Sequence, residues 1–443
     1  MIDLSPEVAL LVMFGGLIVL VLIGMPLAFV LGWMALVVGY MTIGSSIFGI
    51  LYSRIMAVAT NYTFIAGPMF VFMGMVLYHA GIAEKLFEAM YVLMGRVRGG
   101  LAIGTVIIGV ALAVCVGVIA ASVIAIGLIA LPSMLTRGYD KGLACGTVCA
   151  SGTLGILIPP SVMIVFYGPA ANLSVGKLFM GAFVPGLILA LMYMAYVALR
   201  CLVRPMDGPP ISDLEKIPWR RKLYLLITAF LPPLFIMFSV LGTIFFGIAS
   251  PTESAAMGAV AAVILAAVRR RLSLSVLKES TYGAARLIAM ALLIAITAGM
   301  FAAVFILLGC GDVLARLILS APGGKWGVFA VIMLITLVLG MFVDWVGIIF
   351  VLVPIVTPIT VAAGFDPVWF AIIVMVNLQA SFLTPPFAYS IFFVKGMCLP
   401  EWGVETKDII DGVIPFVLII VVAIVLFAAF PQTVTWLPSA MIK

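Results

Sequence analysis

Long apolar runs separated by short polar breaks organise the whole chain. The first extends from about 7 to 40 and is interrupted at Gly24-Met25-Pro26. At about 1.5 Å per residue it would measure about 50 Å against a hydrocarbon core of about 30 Å, so it predicts two helices or a sharp bend. Further runs fall near 63–80, 98–135, 142–173, 176–203, 223–247, 251–268, 288–309, 326–362, 367–396 and 408–431. Two amphipathic stretches, 48–60 with Arg54 and 276–287 with Lys278 and Arg286, predict arms that lie at the membrane surface, brace a scaffold or meet a partner. The alternating ten-residue pattern of a transmembrane barrel does not occur, so the expected class is an all-α polytopic membrane protein.

Within 98–135 the apolar run is divided by Gly117 to Ser122, and its second arm, 123–135, is thirteen residues long. That is about 20 Å of helix, too short to cross. The segment therefore predicts a re-entrant helical hairpin over about 98–136 whose tip stops inside the membrane.

An internal repeat sets the larger organisation. Shifted by 226 residues, positions 132–160 are identical at seven of 29 sites: Pro132, Gly138, Asp140, Val148, Leu157, Pro159 and Pro160 match Pro358, Gly364, Asp366, Val374, Leu383, Pro385 and Pro386. Gly32 and Gly258 share the offset. The repeat predicts two halves, 1–203 and 223–443, joined by a cytoplasmic linker, 204–222. Each half carries a hairpin (about 98–136 and 326–363) and a Pro-Pro-broken helix (about 142–173 and 367–396). At the repeated turn the first copy reads Thr-Arg-Gly-Tyr-Asp-Lys and the second Ala-Ala-Gly-Phe-Asp-Pro, so a basic pair is present once and absent once. Basic residues gather on the cytoplasmic side, so the copies are expected to face opposite sides. An inverted repeat of this kind is a mark of secondary transporters.

Composition narrows the possibilities. Of 443 residues, 65% are apolar and 9% charged, which leaves no room for a water-facing catalytic domain. The net charge of +6 comes from clusters at helix ends (Arg96/Arg98, Arg137/Lys141, Arg200/Arg204, Arg220-Arg221-Lys222, Arg269-Arg270-Arg271). Such clusters set orientation rather than bind nucleic acid. The six cysteines lie in or beside apolar runs without a CxxC pair and read as small buried hydrophobes. Met1 to Val8 lacks the basic start of a cleavable signal peptide, so the first helix is expected in the mature chain. The single histidine, His79, ends a helix and excludes Ser-His-Asp and His-metal chemistry, and no nucleotide-binding GxxxxGK[ST] is present. An intramembrane hydrolase and a polar-pored channel are disfavoured on the same grounds.

Candidate chemistry lies at the helix breaks. Two successive prolines remove two backbone N–H groups and leave the preceding carbonyls without partners. With the nearby hydroxyls these make the hard-oxygen surroundings that Na⁺ prefers, while the N-termini of the following half-helices favour a carboxylate. The candidate cation ligands are Gly117, Ser122, Ser151, Thr153 and Gly155 in the first half and Gly340, Asp344, Gly347, Gln379, Ser381 and Thr384 in the second. The candidate substrate contacts are Pro159, Pro160, Ser161, Asn377, Pro385 and Pro386. Asp344, an acid at membrane depth whose equivalent is Val118, either coordinates a cation or caps the half-helix after it. Glu253, opening Pro-Thr-Glu-Ser-Ala-Ala, reads as a first-turn acid complementing a helix dipole.

On Gly155–Ser161, the Gly-Tyr-Asp turn, Pro251–Ala256 and Asn377–Phe387, the chain resembles the DctM-type large membrane subunit of tripartite ATP-independent periplasmic (TRAP) transporters along essentially its whole length. The resemblance implies an elevator-type, Na⁺-coupled importer of organic acid anions in the bacterial inner membrane, with H⁺ in place of Na⁺ as the alternative coupling ion. It implies a separate small four-helix DctQ-like subunit and a periplasmic substrate-binding protein as partners. The second Pro-Pro element is similar to branches handling 2-oxo acids and related monocarboxylates, beside the C4-dicarboxylate type. At the first tip the chain has Val116-Gly-Val-Ile-Ala-Ala where the family is often richer in Ser, which leaves Ser122 and backbone carbonyls as ligands there. The rival reading is a stand-alone Na⁺/carboxylate symporter of the divalent-anion type that needs no binding protein.

Overall fold

A computed structural model describes residues 3–117, 119–211 and 218–441. The pairing of Asp344 with Val118 and positions 212–217 of the linker lie outside the described residues. The chain opens with α1 (Pro6–Leu22) and α2 (Leu27–Ile43). They part at Gly24, whose φ of 94° only glycine adopts freely. Next come α3 (Ile47–Ala59), α4 (Ala66–His79), α5 (Ile82–Met94), α6 (Gly100–Val116), α7 (Ile119–Leu135), α8 (Lys141–Thr153), α9 (Val162–Ala171) and α10 (Val175–Val203). Then α11 (Trp219–Met237) passes through a π-helical turn into α12 (Thr243–Phe245). It is followed by α13 (Pro251–Val268), α14 (Leu274–Leu307), α15 (Cys310–Leu319), α16 (Gly324–Gly340), α17 (Trp345–Ala362), α18 (Pro367–Leu383), α19 (Tyr389–Met397), α20 (Thr406–Ala429) and α21 (Gln432–Ser439). No strand occurs among the described residues, and eight helical stretches are long and apolar enough to cross a membrane. The protein is a multi-pass, all-helical membrane protein.

Two elements differ from the sequence reading. The second arm of the first hairpin is α7, 17 residues rather than thirteen, because Ile119–Ser122 form its first turn. Among the described residues the helix breaks at Gly117, at φ 63°, and Ile119–Ser122 suit a helix. The stretch 276–287 is not a separate arm but the start of α14, whose 34 residues run about 51 Å without a break. No Gly, Pro or Asn interrupts 284–298, whereas the first stretch stops at Asn61, which caps a 3₁₀ turn through Thr63 N.

Packing divides the helices into two groups. In one, α4 lies along α13 and α2 along α14, with α14 also resting on α3 and α4. In the other, α8 is enclosed by α6, α7 and α20, while α18 packs on α16 and α20. The groups meet where α17 touches α14. Sequence signals close the helix ends: Asp140 and Asp366 accept from Leu143 N and Trp369 N (both 2.8 Å), starting α8 and α18 alike. Ser250 and Glu253 form a reciprocal capping box, as expected of that acid. His79 ends α4 with Nε2 3.9 Å from Glu279. All six cysteines are free, and five are buried.

At the basic end of α10, Arg200 binds Asp207 (2.7 Å), Asp140 (2.8 Å) and the Tyr196 hydroxyl (3.0 Å). Backbone bonds from Gly99 N to Gly208 O and from Ile211 N to Gly95 O fasten the same segment. The linker therefore begins as a strap across the ends of α5–α6 and α7–α8. Arg200→Met removes three charge-assisted or polar bonds at once. It is expected to accelerate proteolytic cleavage within 204–222, read by limited trypsinolysis in detergent; a wild-type cleavage rate would show that the backbone bonds alone hold the strap.

Candidate functional site

The first hairpin tip rests on the first Pro-Pro segment. A Cβ on Gly117 would lie 3.1 Å from Pro160 O, and one on Gly155 would lie 2.8 Å from Ser122 Oγ. Between them α8 ends at Thr153, a 3₁₀ turn covers Leu154–Ile156, the Pro159–Pro160 bond is cis, and α9 starts at Val162. Ser161 Oγ donates to Ile156 O (2.5 Å), closing this loop on itself. Thr153 Oγ1 donates to Ala150 O (2.8 Å) within its own helix. Ser122 and Ser151 are fully buried and their hydroxyls have no hydrogen-bond partner among the described residues. Gly117, Ser122, Gly155 and Pro160 are thus brought together, and Ser151 sits one helical turn before Gly155.

The second tip and break meet in a similar way. The Pro385–Pro386 bond is cis, and Phe387 N donates to Met341 O (3.3 Å), joining the break to the tip directly. Asn377 Nδ2 donates to Met333 O (2.8 Å) and Ser381 Oγ to Leu337 O (3.2 Å). Residues four apart on α18 thereby bind carbonyls four apart on α16, which fixes the register of the two helices. One turn further on, Gly340 admits Ser381; a Cβ there would be 2.5 Å from its Oγ. Thr384 Oγ1 bonds back to Ala380 O (2.7 Å). Asn377, Gln379 and Ser381 all lie inside α18, so the break itself is confined to Thr384–Ala388. Gln379 is completely buried and neither atom of its amide has a partner. Gly347 stands apart, packed against Leu27 of α2.

Asp344 N-caps α17, its Oδ2 accepting from Val346 N at 3.4 Å. That long contact and the neighbouring Trp345 N–H leave part of the carboxylate's four lone-pair sites unused. A hydroxyl that donates to a carbonyl, as Ser381 does, likewise keeps lone pairs for a cation.

Both tips and the half-helices that follow the two breaks line one cavity of about 550 Å³; of the candidate ligands and contacts named from sequence, Asp344 is the one on its described wall, and the break residues themselves lie behind it. Ile119 and Ala120 reach it from the first tip, Asp344 and Trp345 from the second, Phe166 from α9 and Tyr389 from α19. Its opposite wall is α2 and α14. Phe166 packs its ring against Trp345 (centroids 6.0 Å) and Phe350 (5.8 Å), tying α9 to α17 across the tips. Asp344 is the only ionisable group with a carboxylate on the described wall. Tyr389 and Trp345 were not singled out from sequence. Tyr389 opens the half-helix after the second break, so the rule that half-helix starts face the site would have found it.

The amino-acid sequence itself matches known proteins. Residues 14–433 match the family described as "Tripartite ATP-independent periplasmic transporter, DctM component". The chain belongs to this DctM family. Relatives of the DctM chain include the C4-dicarboxylate TRAP transporter large permease protein DctM of Pseudomonas aeruginosa, 31% identical over 87% of this chain and 88% of that one. The corresponding protein of Vibrio cholerae is 28% identical over 98% of each. The ectoine TRAP transporter large permease protein TeaC of Halomonas elongata is 29% identical over 96% of this chain and 98% of that one. Among solved structures, the YdaH transporter of Alcanivorax borkumensis superposes with a TM-score of 0.61 at 14% identity, covering 96% of this chain and 99% of that chain, which speaks for the fold alone. This DctM chain is a TRAP transporter large permease subunit and not an enzyme.

Proposed function

We propose that this permease imports an organic acid anion across the bacterial inner membrane by Na⁺ symport. Its soluble periplasmic partner would deliver the substrate, and a separate small four-helix membrane subunit would complete the complex. The two halves are inverted copies, with the basic helix ends cytoplasmic. The pairs α6–α7 and α16–α17 are re-entrant hairpins, and with the broken helices α8–α9 and α18–α19 they form a unit that moves as an elevator against α2, α4, α13 and α14. The observation that carries the reading is that each tip rests on its own break while both tips and the half-helices after the breaks line one cavity, with an acid on its wall.

In this reading Gly117, Ser122, Ser151, Thr153 and Gly155 supply one cation site, and Gly340, Asp344, Ser381 and Thr384 the other. Gln379 offers a further buried oxygen, and Gly347 serves the packing on α2. The substrate carboxylate faces the starts of α9 and α19, beside Pro159–Ser161 and Pro385–Pro386, where helix dipoles favour an anion. Asn377 positions α18. Two Na⁺ entering with one monocarboxylate would move one net charge, worth about 2.3 kcal/mol per 100 mV in addition to the Na⁺ gradient.

The test is uptake of radiolabelled organic acids into proteoliposomes holding this chain and its small subunit, with and without an inward Na⁺ gradient and the cognate binding protein. Uptake is expected to require both. Uptake independent of the binding protein would move the assignment to a stand-alone symporter, and uptake driven equally by a proton gradient alone would remove Na⁺.

A further inference from the structure

The chemistry of the cavity wall says more about the cargo than the family does, since the named relatives carry C4-dicarboxylates and ectoine. Among the described residues that line it there is no Lys, Arg or His, and Asp344 carries the only charge. Beyond Asp344, the lining residues with a polar side-chain group are Tyr389, with its hydroxyl, and Trp345, with its indole N–H. Both can donate a hydrogen bond. The remainder is aliphatic and aromatic, with the rings of Phe29, Phe166, Phe382 and Phe393 spread over α2, α9, α18 and α19. The volume of about 550 Å³ lies within the range of small-molecule sites and far exceeds what a three- or four-carbon acid fills.

We infer that the cargo is a monocarboxylate with a branched-aliphatic or aromatic body, its acid end held by the Tyr389 and Trp345 donors beside the coupling cation and its apolar body against the phenylalanine wall. This rests on the organic-acid permease reading and narrows it. The charge on the wall argues against a dicarboxylate. A second carboxylate would meet a wall whose only fixed charge is negative, with no basic side chain among the described lining residues to offset it. The scarcity of polar atoms argues against a polyhydroxylated sugar acid, most of whose hydroxyls would be buried without partners. The apolar body, in contrast, gains from every ring it covers, and two donors suffice for one carboxylate or its neighbouring keto oxygen. Asp344 contributes by keeping a cation at the acid end rather than by touching the acid itself.

Trp345 makes the inference measurable without transport. The chain with its small subunit, in lipid nanodiscs with Na⁺, is titrated with 4-methyl-2-oxopentanoate, 3-phenylpropanoate, succinate and N-acetylneuraminate. The readouts are the tryptophan fluorescence difference between wild type and Trp345→Phe, and thermal protection of both. The two apolar monocarboxylates should bind at least about tenfold more tightly than the other two. Ala120→Phe, which narrows the cavity, should weaken 3-phenylpropanoate more than 4-methyl-2-oxopentanoate while leaving the ligand-free melting temperature unchanged. Tighter binding of succinate or N-acetylneuraminate overturns the inference and leaves the permease reading intact. Failure of all four acids to bind also overturns it, and the uptake assay above then decides separately whether an organic acid is carried at all.

Discussion

Asp344→Asn is expected to leave the fold in place and, if uptake is coupled to Na⁺ as proposed, to abolish it at ordinary Na⁺ concentrations. Asparagine caps a helix as well as aspartate does, so α17 keeps its start, and the capping bond to Val346 N, at 3.4 Å, is weak to begin with. What the substitution removes is the charge. An ionised acid at membrane depth costs at least about 2.5 kcal/mol, and here it sits on an otherwise uncharged wall at the meeting point of tip and cavity. A cap alone does not account for keeping a charge there, because Ser or Asn would serve. Loss of a charge-assisted ligand worth about 2–3 kcal/mol should raise the half-saturating Na⁺ concentration roughly 30- to 150-fold, enough to silence uptake at ordinary Na⁺. The measurement is the Na⁺ dependence of uptake in proteoliposomes, paired with a melting curve of the purified complex. Unchanged Na⁺ dependence at unchanged stability would reduce Asp344 to a helix cap.

Much of this architecture was legible in the chain. The apolar runs, the Gly24 break and the Pro-Pro breaks are local signals, each set by the chemistry of one or two residues. The hairpin arms were read less well. Ile119–Ser122 was assigned to the tip because Gly117 to Ser122 divides two apolar runs, yet small residues such as Ser122 fit the first turn of a helix, and among the described residues there Gly117 takes the left-handed backbone. The site was legible as a set of neighbourhoods but not as a division of labour. Spacing along α18 cannot show that Asn377 and Ser381 bond to carbonyls of α16 while Gln379, two positions away, points elsewhere; that depends on which neighbour each helix face meets. The cavity wall was invisible for the same reason. Phe29, Phe166 and Phe393 are ordinary apolar residues in sequence, and only the packing of α2, α9 and α19 brings them to one surface.

The second large effect concerns stability, and it arises where no chemistry was suspected. Helices α8 and α20 approach closely enough that a Cβ on Gly146 would overlap Gly412 O, and one on Gly412 would overlap Gly142 O. The obstruction is backbone on both sides, so no rotamer change can relieve it. In a bilayer, where helices gain little from excluding water, close approach through small residues is a main source of association energy. Gly412→Leu should therefore force α20 off α8, at a cost on the order of 3 kcal/mol or more, and lower the melting temperature of the complex sharply. Intrinsic propensity points the other way, since replacing Gly in a helix normally gains about 0.5–1 kcal/mol. Gly299 of α14, with no atom within 4 Å of its would-be Cβ, is the matched control, and Gly299→Ala should stabilise by about that amount. Thermal melts of the two variants in the same detergent decide the matter. Destabilisation at Gly412 with a gain at Gly299 assigns the effect to the helix contact, whereas equal shifts would assign it to propensity and remove the α8–α20 contact from the account of what holds the broken helix in place.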